Sequence, residues 1–275
     1  MLNRLPPASY FGASAVFHYL GPSLAVLLFA HVDVLGVAWL RIAGAAVVLG
    51  LWRRPWRLVR HVEPRLLLGL GVVLAAMNAL FYLAVDRLPL ATVGAVEFLG
   101  TIVLAAAGTR TPRNLLALLI TVGGVVTLTE VRLGGEAIGF VLAFGNCVLF
   151  MLYVVLGHRI ARAGGSVSGI DQLAAAMLVA AVVATPFGLG QALPAFTHPA
   201  WLAWGVGVGV CSSVVPYVAD QLAMARLSRA TFALMLALLP AAATVLGLTV
   251  LRQVPTPIDL VGIGLVITGV AVRRD

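Results

Sequence analysis

The sequence predicts an all-α membrane protein in which ten transmembrane helices form a 5+5 inverted repeat. Three observations predict it. Hydrophobic residues make up 61% of the 275-residue chain and charged residues only 10%, against roughly 45–50% and about 25% in soluble domains. A chain of this composition cannot hide its apolar surface in one core and needs lipid as solvent. Apolar runs of span length follow one another with short loops between, and ten spans of roughly 20 residues nearly exhaust the length. Finally, LAVDRLPLAT (83–92) matches LAMARLSRAT (222–231) at six of ten positions without a gap, 139 residues later.

The runs fall at about 9–30, 33–52, 66–85, 89–108, 113–129, 137–157, 168–189, 199–221, 230–251 and 257–272. The first follows MLNRLPPASYFG and continues past signal-peptide length without a small-residue cleavage site, so it reads as a first span. Gly21-Pro22, Pro186, Pro216 and Pro240 interrupt their runs. Membrane helices tolerate such residues where neighbours satisfy the freed carbonyls, and broken helices tend to line transport sites. VRLGGEA (131–137) is the linker between a first repeat at 1–132 and a second at 137–275. Both repeats close on an apolar helix with a Gly-Val step, LLALLITVGGVV (115–126) and LVGIGLVITGVA (260–271).

All eighteen basic residues are arginines. With both termini cytoplasmic, fourteen lie on the inside and only Arg87, Arg132 and Arg252 outside, while Arg41 falls within span two. This bias predicts cytoplasmic termini in a bacterial inner membrane. Five spans per repeat is an odd number, so the second repeat enters the membrane with the opposite sense. Arg87 is expected outside and its repeat partner Arg226 inside, with a site at mid-membrane between the halves.

The net charge of +8 and pI near 10.7 do not indicate a nucleic-acid partner, because the apolar spans leave no basic face for phosphates. Cys147 and Cys211 lie in hydrophobic runs and read as free thiols. Metalloprotease, nucleophile-elbow, P-loop and dinucleotide signatures are missing, so neither enzyme chemistry, nor a metal, nor a cofactor is expected. With no ATP site in the chain, an ion or substrate gradient must supply the energy.

A charge at membrane depth costs about 2.5–3.5 kcal/mol on insertion scales, so each such residue needs a reason. Arg41 is near the centre of span two and Glu97 near the centre of span four. Facing a central cavity, Arg41 could hold a substrate carboxylate, and Glu97 an amine or a proton; alternatively, they pair with each other, or with a helix end, to hold the bundle. Asn78, Tyr82 and Asp86 recur at i, i+4 and i+8 and share one face of span three, lining a path or bonding a neighbouring helix. Ser212, Pro216 and Asp220 make a similar stripe on span eight with Tyr217 beside it, and Asp220 is expected at a solvated mouth. His18 is a candidate proton relay or a satisfier of a backbone carbonyl. Asn146, Phe150 and Tyr153 share a face of span six, as an aromatic wall or as ordinary packing. Trp52, Trp56, Trp201 and Trp204 are expected as interfacial anchors, and Gly205 and Gly209 as a close-packing pair.

Several stretches resemble a known group. SLA (23–25), Gly36-Val37, Leu40-Arg41, MNALFYL (77–83), Val96–Gly100 and VPYVADQLAMARLSRATF (215–232) are similar to the drug/metabolite transporter superfamily, whose members carry two EamA-type repeats of five helices. Within it the chain most resembles bacterial threonine/homoserine exporters of the RhtA type, over nearly its whole length. The resemblance implies an inner-membrane exporter of amino acids or related metabolites, with a central cavity and alternating access. Glu97, Asn78, Tyr82 and Arg41 occupy the motif positions. The chain departs from the family at Leu239-Pro240, where a Glu usually precedes the Pro, and at Arg252-Gln253, where Gly-Glu is usual. The expected partners are a small-molecule substrate and the lipid bilayer, with protons as coupling ion and a monomer as working unit left open. A broader exporter of drugs or aromatic metabolites is the alternative; a non-transporting scaffold or lipid-modifying enzyme would leave the duplication unexplained.

Overall fold

The computed structural model describes residues 7–57, 63–108, 111–130, 136–162, 168–226 and 238–272. Among them the regular structure is helical, with no strand. The helices are α1 (Pro7–Leu28), α2 (Val34–Arg53), α3 (Pro64–Val85), α4 (Leu90–Gly108), α5 (Pro112–Glu130), α6 (Ala137–Arg162), α7 (Gly169–Thr197), α8 (Pro199–Met224), α9 (Leu238–Leu251) and α10 (Pro257–Val272). Each falls on one of the predicted runs. The linker at 131–135 and the stretch 227–237, which includes Arg229 and Thr231 of the repeat motif, lie outside the described residues.

Two helices differ from expectation at their prolines. α1 continues through Gly21-Pro22, and α7 runs on through Pro186 and Pro194 to Thr197, past the expected end near 189. Leaving the helix within hydrocarbon would strand several backbone groups, which costs more than the one bond each proline removes. At Pro216 the expected disturbance is present: the preceding turn of α8, Val210–Val214, is π-helical, a local widening common at functional sites.

Among the described residues α2, α3, α6, α7 and α8 are long and apolar enough to cross a membrane. Their outward faces carry exposed Val47, Leu51, Leu68, Val72, Val141, Val182 and Phe187. An apolar surface of this extent is stable only against lipid. Trp52 and Trp56 are half-exposed, as anchors should be, and Trp201 is stacked between His31 and His198.

Three packed pairs are helices five apart: α2 lies on α7, α4 on α9 and α5 on α10. α3 also packs on α6 and α7, α8 on α1 and α2, α4 on α5 and α6, and α9 on α10 and α1. Replacing each helix by its counterpart five along returns these contacts, whereas α4 on α10 and α6 on α7 and α8 have no comparable counterpart among the described residues. The three pairs five apart run antiparallel. Along α2 and α7, Gly36 meets Gln191, Gly188 meets Trp39 and Arg53 meets Asp171. On α5 and α10, Gly124 meets Gly262 while Gly269 meets Ala117. On α4 and α9, Gly94 meets Ala243, and the Leu90 N–H donates to Gln253 Oε1 at 3.2 Å. Small residues allow these close approaches where no hydrophobic force between helices is available.

Helix starts are secured from the sequence. Ser168 caps α7 by accepting from the Asp171 N–H at 3.2 Å, and Asp171 in turn pairs with Arg53 at 2.6 Å. Thr256 and Asp259 exchange side-chain and backbone bonds at the start of α10, a capping box.

The expected Gly205 and Gly209 contact is present, against α2. A Cβ on Gly209 would sit 2.6 Å from the Arg41 carbonyl oxygen and 3.1 Å from the Ala45 nitrogen, both backbone atoms, whereas one on Gly207 meets nothing within 4 Å. Gly209→Ala is expected to destabilise by about 1–3 kcal/mol, the cost of overpacking. Gly207→Ala is expected to be neutral or stabilising, since Ala is the better helix former. Thermal unfolding in detergent checks both; equal melting of the two variants would show that this contact is not tight.

Candidate functional site

Arg41 sits on a face of α2 that is otherwise apolar and is only 3% exposed. Its position is explained by Pro216 on α8. Proline has no N–H for the carbonyl four residues back, which is that of Ser212, and Arg41 Nη2 donates to that oxygen at 2.9 Å. Nε donates to Ser213 Oγ at 2.9 Å, and Nη2 also reaches Tyr217 Oη at 3.3 Å. The guanidinium stands 5.2 Å from the centre of the Tyr82 ring, a favourable place for a cation. Every one of these acceptors is neutral, so the positive charge is held but not cancelled.

Glu97 on α4 is 2% exposed. Tyr19 Oη donates to its Oε2 at 2.9 Å and Asn146 Nδ2 to its Oε1 at 3.0 Å. The alternative of a direct Arg41–Glu97 pair is not seen: the salt bridge among the described residues is Arg53–Asp171. The two charges instead line one cavity with His18, Asn78, Asn146 and Tyr217, closed by Pro22, Met77 and Phe81. Asn78 donates to Leu74 O at 2.7 Å and to Tyr217 Oη at 3.4 Å. The Oδ1 atoms of Asn78 and Asn146 have no hydrogen-bond partner among the described residues, leaving two buried acceptors near the carboxylate. Cavity volume is about 10 Å³, room for roughly one water. The pocket is therefore closed to any amino acid in this conformation, and filling it requires helices to part.

The structure thus brings Arg41, Glu97, Asn78, His18 and Tyr217 together. Tyr82 lies beneath Arg41, and Pro216 acts through the carbonyl it frees. Tyr153 is elsewhere: its hydroxyl donates to Asp220 Oδ2 at 3.1 Å. Two expectations are corrected. Asp86 does not continue the buried stripe of Asn78 and Tyr82, because the chain leaves α3 there and the side chain is exposed. Asp220 is not at a solvated mouth but only 1% exposed, since α1 and α6 pack over it. Tyr19 and Ser213 were absent from the expected site, and Asn146 was expected only on the face shared with Phe150 and Tyr153. Asn146 had a signal, as an amide in the apolar run of α6; Tyr19 and Ser213 become recognisable only from their partners.

A larger cavity, about 370 Å³, lies elsewhere, between α2, α3 and α7. Trp39, Val72, Leu83 and Phe187 help to line it, and it offers almost no polar surface. A charged solute has nothing to bind there.

A family model described as the EamA-like transporter family matches residues 137–273. The threonine/homoserine exporter RhtA of Escherichia coli (strain K12) is 34% identical over 251 residues, covering 90% of this chain and 84% of that protein. The chain belongs to the EamA-like transporter family. RhtA of Salmonella typhimurium (strain LT2) is 33% identical over 264 residues, 93% of this chain and 88% of that one. A solved crystal structure aligns with a TM-score of 0.63 at 21% identity, over 96% of this chain and 95% of its own, and so shares the fold. This EamA-like chain is a multi-pass membrane protein and a transporter, not an enzyme.

Proposed function

We propose that this protein is a secondary active exporter of small amino acids or related metabolites in the bacterial inner membrane. The observation that carries the reading is the shared cavity of Arg41 and Glu97, opposite charges held apart by separate neutral partners. A zwitterion fits it. Its carboxylate would meet the Arg41 guanidinium, and its ammonium would meet Glu97 with the unpartnered carbonyls of Asn78 and Asn146. Threonine/homoserine exporters as relatives support the same class.

The transport cycle in this reading rocks residues 1–132 against 137–275 as two inverted repeats, ten helices in all, with both termini cytoplasmic. The antiparallel pairing of helices five apart and the exchange of contacts between them support the repeat. The arginine bias supports the orientation. Arg41, carried on α2 and bonded to α8, spans the two units, so parting them re-forms its contacts. Differential affinity for the two states drives the cycle.

The test is counterflow in proteoliposomes with labelled threonine. Serine, homoserine and other small amino acids are expected to compete, and bulky aromatic cations are not. The second reading, an exporter of drugs or aromatic metabolites, draws on the aromatic walls at Phe81 and Tyr217. Displacement by the cations with no effect of small amino acids would select it.

A further inference from the structure

Asp220 is a second buried carboxylate, outside the cavity lining, and the cycle described above does not use it. Ser14 Oγ on α1 donates to its Oδ1 at 2.6 Å and Tyr153 Oη on α6 to its Oδ2 at 3.1 Å. No cation pairs with it among the described residues. We infer that Asp220, with Ser14 and Tyr153, is a proton-carrying site that couples transport to the proton gradient, distinct from the pocket that binds the solute. The inference rests on the transport reading.

The choice of partners carries the argument. An amide or guanidinium N–H can only donate, so it cannot accept from the O–H of a protonated carboxyl. A hydroxyl donates or accepts. When Asp220 takes up a proton, an O–H bond forms on one carboxyl oxygen, and the hydroxyl beside it turns to accept. When the proton leaves for water, both hydroxyls donate again. The site is satisfied in either state, which a buried group that changes charge requires. Glu97 differs in having one hydroxyl partner, Tyr19, instead of two, its other oxygen being held by the Nδ2 of Asn146, and in facing the cavity where the solute would bind.

Position fits the same role. Ser14 and Tyr19, which hold Asp220 and Glu97, are five residues apart on α1, so their Cα atoms are staggered by about 7.5 Å along the helix. Asp220 lies on the side where α1 begins and α8 ends, close to exposed Ala225 and Arg226. The wall between the carboxylates is polar-aromatic: Tyr153 meets Tyr217, and His18 meets Tyr217 and Tyr19, with ring centres 5.2–6.4 Å apart. Buried ionisable groups on the helices packed against α8 are His18 and Tyr19 on α1, Arg41 on α2, Cys147, Tyr153 and His158 on α6, and Asp171 on α7, which Arg53 already engages. On α8 itself, Tyr217 lies within one turn.

Infrared difference spectra of the full chain in liposomes, stepped through pH, test the site without any substrate. All carboxyls give a protonated C=O band on acidification, so the readout is the component that Asp220→Asn removes: it is expected in the wild type and in Glu97→Gln and to be missing from Asp220→Asn. Ser14→Ala and Tyr153→Phe keep the carboxyl and are expected to move the midpoint of that component. Spectra of Asp220→Asn that match the wild type, or a midpoint unmoved in both hydroxyl variants, overturn the site. In proteoliposomes, Asp220→Asn is expected to retain solute counterflow and lose accumulation driven by a pH gradient. Retained gradient-driven accumulation overturns the coupling role. Absence of counterflow of any small amino acid by the wild type removes the transport reading instead, and leaves the band to decide the proton site.

Discussion

Glu97→Gln is expected to abolish measurable export while leaving the fold intact. Gln has the same shape, and its amide can still accept from Asn146 and exchange a hydrogen bond with Tyr19, which hold Glu97 at 3.0 and 2.9 Å. Only the charge goes. A charge-assisted bond contributes about 1.5–3 kcal/mol, so the affinity for an ammonium group should fall by about 10–100-fold. Equilibrium binding of labelled threonine and counterflow in proteoliposomes read this directly, with thermal unfolding as the control. Wild-type affinity in a stable Glu97→Gln protein would remove Glu97 from the site. By contrast, Glu97→Ala confounds the question, because it strands two buried donors at about 1–3 kcal/mol each.

Arg41→Lys is expected to be nearly as damaging, although it conserves the charge. The guanidinium reaches Ser213, the Ser212 carbonyl and Tyr217 at once, with its face on Tyr82. An ammonium on a flexible stem cannot reproduce that fork. Loss of one charge-assisted contact to a substrate carboxylate again predicts weaker binding by about 10–100-fold. The loss should be selective: an amine lacking the carboxylate, weak on the wild type, should bind the variant no worse. Equal weakening of both ligands would mean that Arg41 only braces α2 against α8. Arg41→Lys should also melt earlier than Glu97→Gln, because the carbonyl freed by Pro216 loses a directed partner.

Much of the architecture was legible in the chain. Each helix lies on its predicted apolar run because, in lipid, a backbone group left without a partner costs more than any local preference of the sequence. The match of 83–92 with 222–231 is a feature of the chain itself, and part of the second stretch lies outside the described residues. Prolines were the weak point. Pro22, Pro186 and Pro194 look identical to Pro216 in sequence, yet among them only Pro216 is preceded by a π-helical turn. Whether a freed carbonyl finds a donor depends on which helix lies opposite.

Arg41 and Glu97 stood out as candidates because a charge in an apolar run is costly wherever that run packs. The sequence by itself therefore determined the solvent, the helices and the residues that needed an explanation. Tertiary structure alone decided their partners. It placed Arg41 on neutral acceptors of α8 instead of on Glu97, joined Glu97 to Tyr19 and Asn146, and sealed Asp220 between Ser14 and Tyr153. These pairings join residues far apart in the chain, and hydrophobic periodicity says which face is inward but not which inward face it meets.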